Sequence, residues 1–101
     1  MAKVKHIALV KFKADTSAES IDRVFSELLD LTENVSGVED YVSGPNGSPQ
    51  GLAQGYTHGM VMTFSDTAAR DAYLAHPDHE KFLAFTNPLV ESVVIVDFEV
   101  G

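Results

Sequence analysis

The stretch KVKHIALVKFK, residues 3–13, alternates strictly between two faces. One face is apolar apart from a single histidine and consists of Val4, His6, Ala8, Val10 and Phe12. The other face has Ile7 and Leu9 at its centre and lysines at both ends. Alternation with a period of two residues predicts a β-strand. The strand would have apolar surface to bury on both faces.

The residues that follow predict a helix, a short strand and a long loop. Thr16 and Glu19 have the spacing of a capping box, and apolar residues then recur at helical intervals for about five turns. Gly37 suits the left-handed position that closes a helix. A strand is predicted around residues 38–43, and residues 44–55 are rich in proline and glycine, which predicts a loop.

The second half of the chain predicts a strand, a broken helix and a final strand. Residues 56–64 alternate again, and Asp66 is a suitable N-cap for a following helix. Pro77 disfavours helical geometry at the residue before it and can start a further helical segment over residues 78–85. Residues 93–100 are mostly β-branched and aromatic, which predicts the last strand.

The order strand, helix, strand, strand, helix, strand indicates the α+β class with a ferredoxin-like βαββαβ protomer. The chain of 101 residues fits a single domain over residues 1–101. Ile7, Leu9, Val61 and one register of the last strand would leave an apolar patch on the sheet face away from the helices. Because a second copy would cover this patch, we expect a homodimer.

Composition excludes several classes of function. The chain has 15 acidic and 7 basic residues and a formal net charge of −8, so nucleic acid and anionic membranes are not expected partners. It has no cysteine, which excludes disulfides, thiolate metal sites and a cysteine nucleophile. Since neither a membrane-spanning run nor a secretory signal is recognisable, we expect a cytoplasmic protein.

Four histidines and a tyrosine are the candidate site residues. His6 and His58 lie on the apolar faces of two strands that are neighbours in the predicted sheet, so their rings are expected to approach across it. Tyr73 and His76 are three positions apart and share a helix face, and the proline that follows can turn His79 back toward them. These side chains could form one polar cluster, or each could be a core residue with satisfied hydrogen bonds.

Other chemistries are weakly supported. His76, Asp78 and His79 have a spacing weaker than that of a metallohydrolase helix, and we expect neither a metal nor a cofactor. The sequence contains neither a nucleophile elbow around a serine nor a phosphate-binding glycine loop. We expect the acidic side chains near the last strand to be solvated, as exposed carboxylates usually are: Glu91, Asp97 and Glu99.

The sequence resembles the stress-responsive A/B barrel (Dabb) family over essentially its whole length. The segments that carry the resemblance are Val4-Lys5-His6, Phe12-Lys13, GYTH at residues 55–58, DAYLAHPDH at residues 71–79 and Asp97-Phe98. The resemblance implies a ferredoxin-like protomer that pairs into a dimeric α+β barrel, or into a larger assembly.

The resemblance also implies an acid–base site. In family members that cyclise polyketides, the positions matching Tyr73 and His79 are the catalytic pair, and those matching His6, His58 and His76 are histidines in or near the pocket. All five residue types are present here. The implied function is a polyketide-cyclase-like aldol reaction, or an isomerisation, of a small carbonyl compound.

A chemical role follows for each group. A tyrosine, with an ordinary pKa near 10, would stay protonated and donate to a carbonyl oxygen, while a histidine, with an ordinary pKa near 6.5, would act as the base. An apolar wall would favour an apolar or aromatic ligand. The residues predicted to form that wall are Val10, Phe25, Leu28 and Leu29.

Alternatives to catalysis by this set stay open. A non-catalytic small-molecule-binding or stress-responsive structural protein fits the family equally well. A haem enzyme would use His58 or His76 as an axial ligand, although Arg70 and Lys81 are the only cations nearby in sequence to meet the propionates. Some relatives hold a cation on backbone carbonyls, at positions that match Thr32, Val35 and Val38.

Overall fold

A computed structural model describes residues 2–101 and places a four-stranded antiparallel sheet against three helices. In chain order the elements are β1 (Lys3–Phe12), α1 (Ala18–Asn34), β2 (Val38–Pro45), β3 (His58–Phe64), α2 (Thr67–Ala75), α3 (Pro77–Thr86), a short 3-10 turn (Asn87–Leu89) and β4 (Val90–Val100). The strand order β2-β3-β1-β4 confirms the predicted ferredoxin-like arrangement. Within residues 2–101, the helices are all too short or too polar to cross a membrane.

Strand β1 lies in the middle of the sheet, between β3 and β4. Its side chains alternate as predicted: Val4, His6 and Ala8 are buried against the helices, whereas Leu9 on the opposite face is 41% exposed. Met62 and Phe64 of β3 complete this buried layer and are fully shielded from solvent. The helix-bearing face of β1 and β3 therefore forms the floor of the core.

Helix α1 begins one residue later than the capping-box pattern predicts. Its N-cap is Ser17, whose hydroxyl accepts a hydrogen bond of 3.1 Å from the Ser20 N–H. The Thr16 hydroxyl instead donates to the Leu89 carbonyl at 3.3 Å, so tertiary contact replaces the local cap. Leu29 is 44% exposed, which makes its predicted place in a ligand-binding wall wrong.

The loop between β2 and β3 is exposed, as predicted, and it extends further along the chain. Strand β3 begins at His58 rather than Tyr56, because Gln54 and Gly55 adopt positive φ angles of 55° and 87° that turn the backbone. The Tyr56 hydroxyl lies 2.8 Å from the Ser92 hydroxyl of β4. This contact fixes the end of the loop against the rim of the sheet.

Helices α2 and α3 are separated at His76, where the backbone is extended with φ −68° and ψ 138°. Pro77 is the cause, because its ring clashes with a helical residue before it. Asp66 caps α2 as predicted, with its carboxylate accepting from the Ala69 N–H at 2.8 Å. The break redirects the chain so that α3 packs beside α1 and α2.

The sheet face away from the helices, which we call the outer face, is apolar and uncovered. Its side chains include exposed residues from three strands: Leu9, Val42, Val94, Val96 and Phe98. Val42 and Val96 are 55% and 51% exposed. A patch of this kind on a sheet marks a surface of association.

Candidate functional site

A cavity of about 340 Å³ lies between the helices and the helix-bearing face of β1 and β4. Most of its wall is apolar, and the polar lining residues are His6, Tyr73, His79, Thr86, Asn87 and Asp97. Val93 and Ile95 of β4 line it while remaining about half exposed. The cavity therefore opens to solvent along the β4 edge of the sheet.

The structure brings six of the eight predicted site residues to this cavity. They are Tyr73, His79, His6, Val10, Phe25 and Leu28. The other two, His58 and His76, do not line it. Of the five polar residues that the resemblance implies in or near the pocket, three line this cavity: Tyr73, His79 and His6.

Tyr73 and His79 lie in contact at one end of the cavity, with ring centroids 4.7 Å apart. The break at Pro77 produces this contact, because it turns α3 back so that His79 faces the last turn of α2. Tyr73 is 1% exposed, and burial raises the pKa of its phenol well above the ordinary value. The phenol is therefore a proton donor at every physiological pH.

His79 is shifted in the opposite sense. Burial lowers the pKa of its imidazole below the ordinary value, and the nearby His6 ring adds to this, while the Leu74 backbone and Glu80 oppose it. Its Nδ1 is shielded from solvent and has no hydrogen bond of ordinary geometry. Neutral His79 is the predominant form at neutral pH, as a general base requires.

The reactive atoms of both residues remain accessible. Within residues 2–101, the shielded and unbonded side-chain polar atoms are His79 Nδ1 and Thr86 Oγ1. The Tyr73 hydroxyl and His79 Nε2 are not among them, and both residues line the cavity. One donor and one acceptor are therefore available to a ligand at this end of the cavity.

His6 is held by a hydrogen-bond network that crosses from the sheet to α2. Its Nδ1 lies 2.6 Å from Asp97 Oδ1, and Asp97 Oδ2 lies 2.8 Å from Arg70 Nη1. The Asp97 side chain is 19% exposed, so the expectation that it is solvated is wrong. Antiparallel pairing places Asp97 directly opposite His6, and partnering of both oxygens offsets the cost of burial.

Asp97 and Arg70 are site residues that sequence reasoning missed. The sequence predicts a strand here but leaves open which face points inward, because both faces carry apolar side chains over residues 93–96. The partner on β1 was not visible, because it depends on the register of β1 with β4. Arg70 was not predictable either, because only the packing of α2 brings it to Asp97.

His58 lies behind the wall of the cavity. Its ring stacks on Phe25 with centroids 5.2 Å apart and meets Phe12 edge-on at 5.5 Å. It pairs with Val10 across the sheet, whereas His6 pairs with Met62. The expected approach of His6 and His58 is therefore wrong, because the register separates them by four positions.

His76 caps a helix instead of sharing a helix face with Tyr73. Its Nδ1 accepts a hydrogen bond of 3.0 Å from the Asp78 N–H at the start of α3. Within residues 2–101, His, Asp and Glu do not gather in groups of three or more that would suit a metal ion. The cation position implied near Thr32, Val35 and Val38 involves backbone carbonyls and stays a prediction.

Comparison with known proteins agrees with this architecture. A family model described as Stress responsive A/B Barrel Domain (Dabb) matches residues 4–100. A stress-response A/B barrel domain-containing protein of Arabidopsis thaliana is 33% identical over 98 residues, which cover 96% of this chain and 86% of that protein. Olivetolic acid cyclase of Cannabis sativa is 25% identical over 95 residues, which cover 94% of each chain.

A solved structure has the same fold. The crystal structure of a ferredoxin-like protein of unknown function from Thermobifida fusca, described as dimeric, superimposes with a TM-score of 0.82. The two proteins are 27% identical, and the match covers 98% of this chain and 92% of the other.

Proposed function

The chain belongs to the stress-responsive A/B barrel (Dabb) family, and from this premise we propose that it is a cofactor-independent acid–base enzyme. Its substrate would be a small apolar or aromatic carbonyl compound, and its reaction an aldol-type ring closure or an isomerisation. The observation that carries the proposal is the contact of Tyr73 and His79 in an apolar cavity, with ring centroids 4.7 Å apart.

The proposed reaction begins with proton transfer from carbon. His79 Nε2 removes a proton from a carbon next to a carbonyl group, and the electron pair moves onto the carbonyl oxygen as an enolate forms. The Tyr73 hydroxyl donates a hydrogen bond to that oxygen and stabilises its growing negative charge. In a ring closure the enolate carbon attacks a second carbonyl carbon, and His79 returns its proton to the new alkoxide.

The opposite pKa shifts of the two residues suit these roles. Burial favours the neutral form of each side chain, so the phenol keeps its proton and the imidazole lacks its second one. An apolar wall lowers the local dielectric, which strengthens the hydrogen bond to a developing oxyanion. Phe25, Leu28 and Val10 belong to this wall and would contact the hydrocarbon part of the substrate.

A relative supports the reaction class. Olivetolic acid cyclase is a cyclase by name, and its similarity covers nearly the whole of this chain.

Proton abstraction is testable before the substrate is known. Phenylacetone carries an acidic benzylic C–H beside a ketone, and its exchange with deuterium in D₂O is followed by proton NMR. We expect the protein to accelerate this exchange. His79→Ala and Tyr73→Phe should each reduce the catalysed rate about 10²- to 10⁴-fold, the usual contribution of a general acid or base.

A matched pair of variants guards against a nonspecific effect. His76→Ala removes a histidine that lies outside the cavity, and Tyr56→Phe removes a phenol at the rim of the sheet. Both should retain exchange within a few-fold of the parent protein. If Tyr73→Phe and His79→Ala retain full exchange activity, the assigned catalytic pair is wrong.

We also propose that the protein is a homodimer. Two outer faces packed together would bury the exposed side chains of Leu9, Val42 and Val96. The description of the Thermobifida fusca protein as dimeric supports this arrangement.

Ligand storage without turnover is a second candidate, favoured by the apolar character of the cavity wall. A binding protein would show a rise in melting temperature with a ketone that is recovered unchanged and without deuterium. Catalysed exchange of the same ketone would favour the enzyme instead.

A further inference from the structure

The hydrogen-bond network of Arg70, Asp97 and His6 takes no part in the proton transfer proposed above. It begins at a guanidinium on α2, passes through a carboxylate on β4 and ends at a buried imidazole on β1. The three side chains are 23%, 19% and 6% exposed, respectively. Hydrogen bonds in such surroundings constrain orientation strongly because water competes little for them.

The direction of each hydrogen bond in this network follows from the chemistry of the three side chains. Arg70 can only donate, so Nη1–H donates to Asp97 Oδ2 and keeps that carboxylate in its accepting form. Asp97 Oδ1 therefore accepts from the His6 ring, and the proton lies on His6 Nδ1. In the neutral ring this leaves the lone pair on Nε2.

That lone pair is available to a ligand. His6 lines the cavity, and its Nε2 is neither hydrogen-bonded nor among the shielded polar atoms of residues 2–101. The cavity thus offers the Tyr73 hydroxyl as a donor and His6 Nε2 as an acceptor in addition to His79 Nε2. A carbonyl oxygen satisfies the donor, but a second acceptor requires a ligand that donates.

We propose that Arg70, acting through Asp97, is a positioning residue that holds the proton of His6 on Nδ1, so that Nε2 accepts a hydrogen bond from a hydroxyl group of the ligand. The inference rests on the proposed function of the cavity and narrows its substrate class to hydroxylated ketones. The carbonyl group binds at Tyr73, and the hydroxyl group binds at His6.

The tautomer is measured without a ligand. In uniformly ¹⁵N-labelled protein at pH 7.5, the chemical shifts of the two ring nitrogens separate a protonated nitrogen from one with a lone pair. We expect His6 to carry its proton on Nδ1 in the parent protein. Asp97→Asn and Arg70→Gln should each shift the ring toward a mixture of tautomers.

The acceptor role is measured with a pair of ketones that differ by one hydroxyl group, 3-hydroxyacetophenone and acetophenone. Calorimetric titration of the parent protein should show tighter binding of the hydroxylated ketone by roughly 10-fold, the effect of one added hydrogen bond. In Asp97→Asn and Arg70→Gln this ratio should fall to near one, because the hydroxylated ketone loses its preferred acceptor. General damage to the cavity would instead weaken both ketones together.

Two further variants separate positioning from charge. Asp71→Asn removes the exposed partner of Arg70, whose Nε lies 2.8 Å from Asp71 Oδ1, and leaves the bond to Asp97 intact. It should keep both the tautomer and the binding ratio of the parent protein. Arg70→Lys retains a cationic donor and should restore part of the preference that Arg70→Gln loses.

Each result decides the inference. A proton on His6 Nε2 in the parent protein, a binding ratio near one, or a ratio unchanged in Asp97→Asn would overturn it, as would a parent protein that binds neither ketone. Failure of the proposed function is seen separately, as exchange of phenylacetone that does not depend on Tyr73 and His79. The tautomer measurement requires no turnover, so the two failures are distinguishable.

Discussion

At the scale of single residues, the two ends of the Tyr73–His79 pair respond to the same surroundings in opposite ways. Burial in an apolar cavity raises the pKa of an acid that is neutral when protonated and lowers the pKa of a base that is charged when protonated. Both shifts favour neutral side chains. One buried pair therefore supplies a proton donor and a proton acceptor together near neutral pH.

The lowered pKa of His79 predicts the direction in which the catalysed exchange rate changes with pH. His79 acts as a base only when it is unprotonated, so catalysed exchange should be constant at neutral pH and fall as the pH drops through its pKa. Because that pKa is lowered, half of the rate should be lost below pH 6.5, the ordinary value for histidine. The measurement is the rate of phenylacetone exchange between pH 4.5 and 8.5. A midpoint above 6.5 would contradict the assignment of His79 as the base.

Some residues of the site could be predicted from the sequence because they lie close together along the chain. Tyr73, His79 and the break between them lie within seven consecutive residues, so Pro77 alone indicated their approach. Asp97 and Arg70 are far from His6 in sequence, and only the register of β1 with β4 and the packing of α2 bring them together. His58 was misplaced for the same reason, since its partner across the sheet is Val10.

At the scale of elements, the periodicity of the sequence predicts the helices and strands but not which groups cap their ends. The order of elements and the alternation of β1 were both predictable. The N-cap of α1 was not, because Thr16 is drawn into a contact with the Leu89 carbonyl. Tertiary contacts decide the ends of elements, which local patterns do not record.

The turn after α1 depends on a glycine for two reasons. Gly37 has a φ of +92°, and a Cβ added there would lie 2.6 Å from the Cβ of Ala69 in α2. Gly37→Ala should therefore lower the free energy of unfolding by more than about 1 kcal/mol, through strain and the displaced helix. Urea denaturation measures this change.

Gly47 provides the matched control for that substitution. It lies in the β2–β3 loop with a φ that is not positive, and an added Cβ would meet nothing within 4 Å. Gly47→Ala should change stability by no more than about 0.5 kcal/mol. Equal effects of the two substitutions would show that the close approach of α2 does not constrain the turn.

At the scale of the whole molecule, the sheet separates two apolar surfaces with different expected occupants. The helix-bearing face holds the cavity, and the outer face carries Leu9, Val42 and Val96 in exposed positions. A monomer would leave the outer face in contact with water, at a cost of about 25 cal/mol for each Å² of apolar surface. Association of two copies through the outer face would remove this cost.

The dimer has a direct test. Val96→Lys introduces a charge on the outer face and should convert the protein to a monomer, because an unpaired charge is costly to bury in an interface. Leu29→Lys changes a similarly exposed residue on α1 and should leave the mass unchanged. Light scattering after gel filtration measures the molar mass of both. A Val96→Lys protein that keeps the mass of a dimer would place the interface elsewhere.

Strand β4 belongs to both surfaces, because Val93 and Ile95 line the cavity while Val94 and Val96 lie on the outer face. A ligand bound on one side of this strand would restrain the same backbone that a second subunit contacts on the other side. Any cooperativity that results is reciprocal: if the ligand tightens the pairing of subunits by some factor, pairing tightens the hold on the ligand by that factor. Dilution would then favour release of the ligand, because dissociated subunits would bind it more weakly.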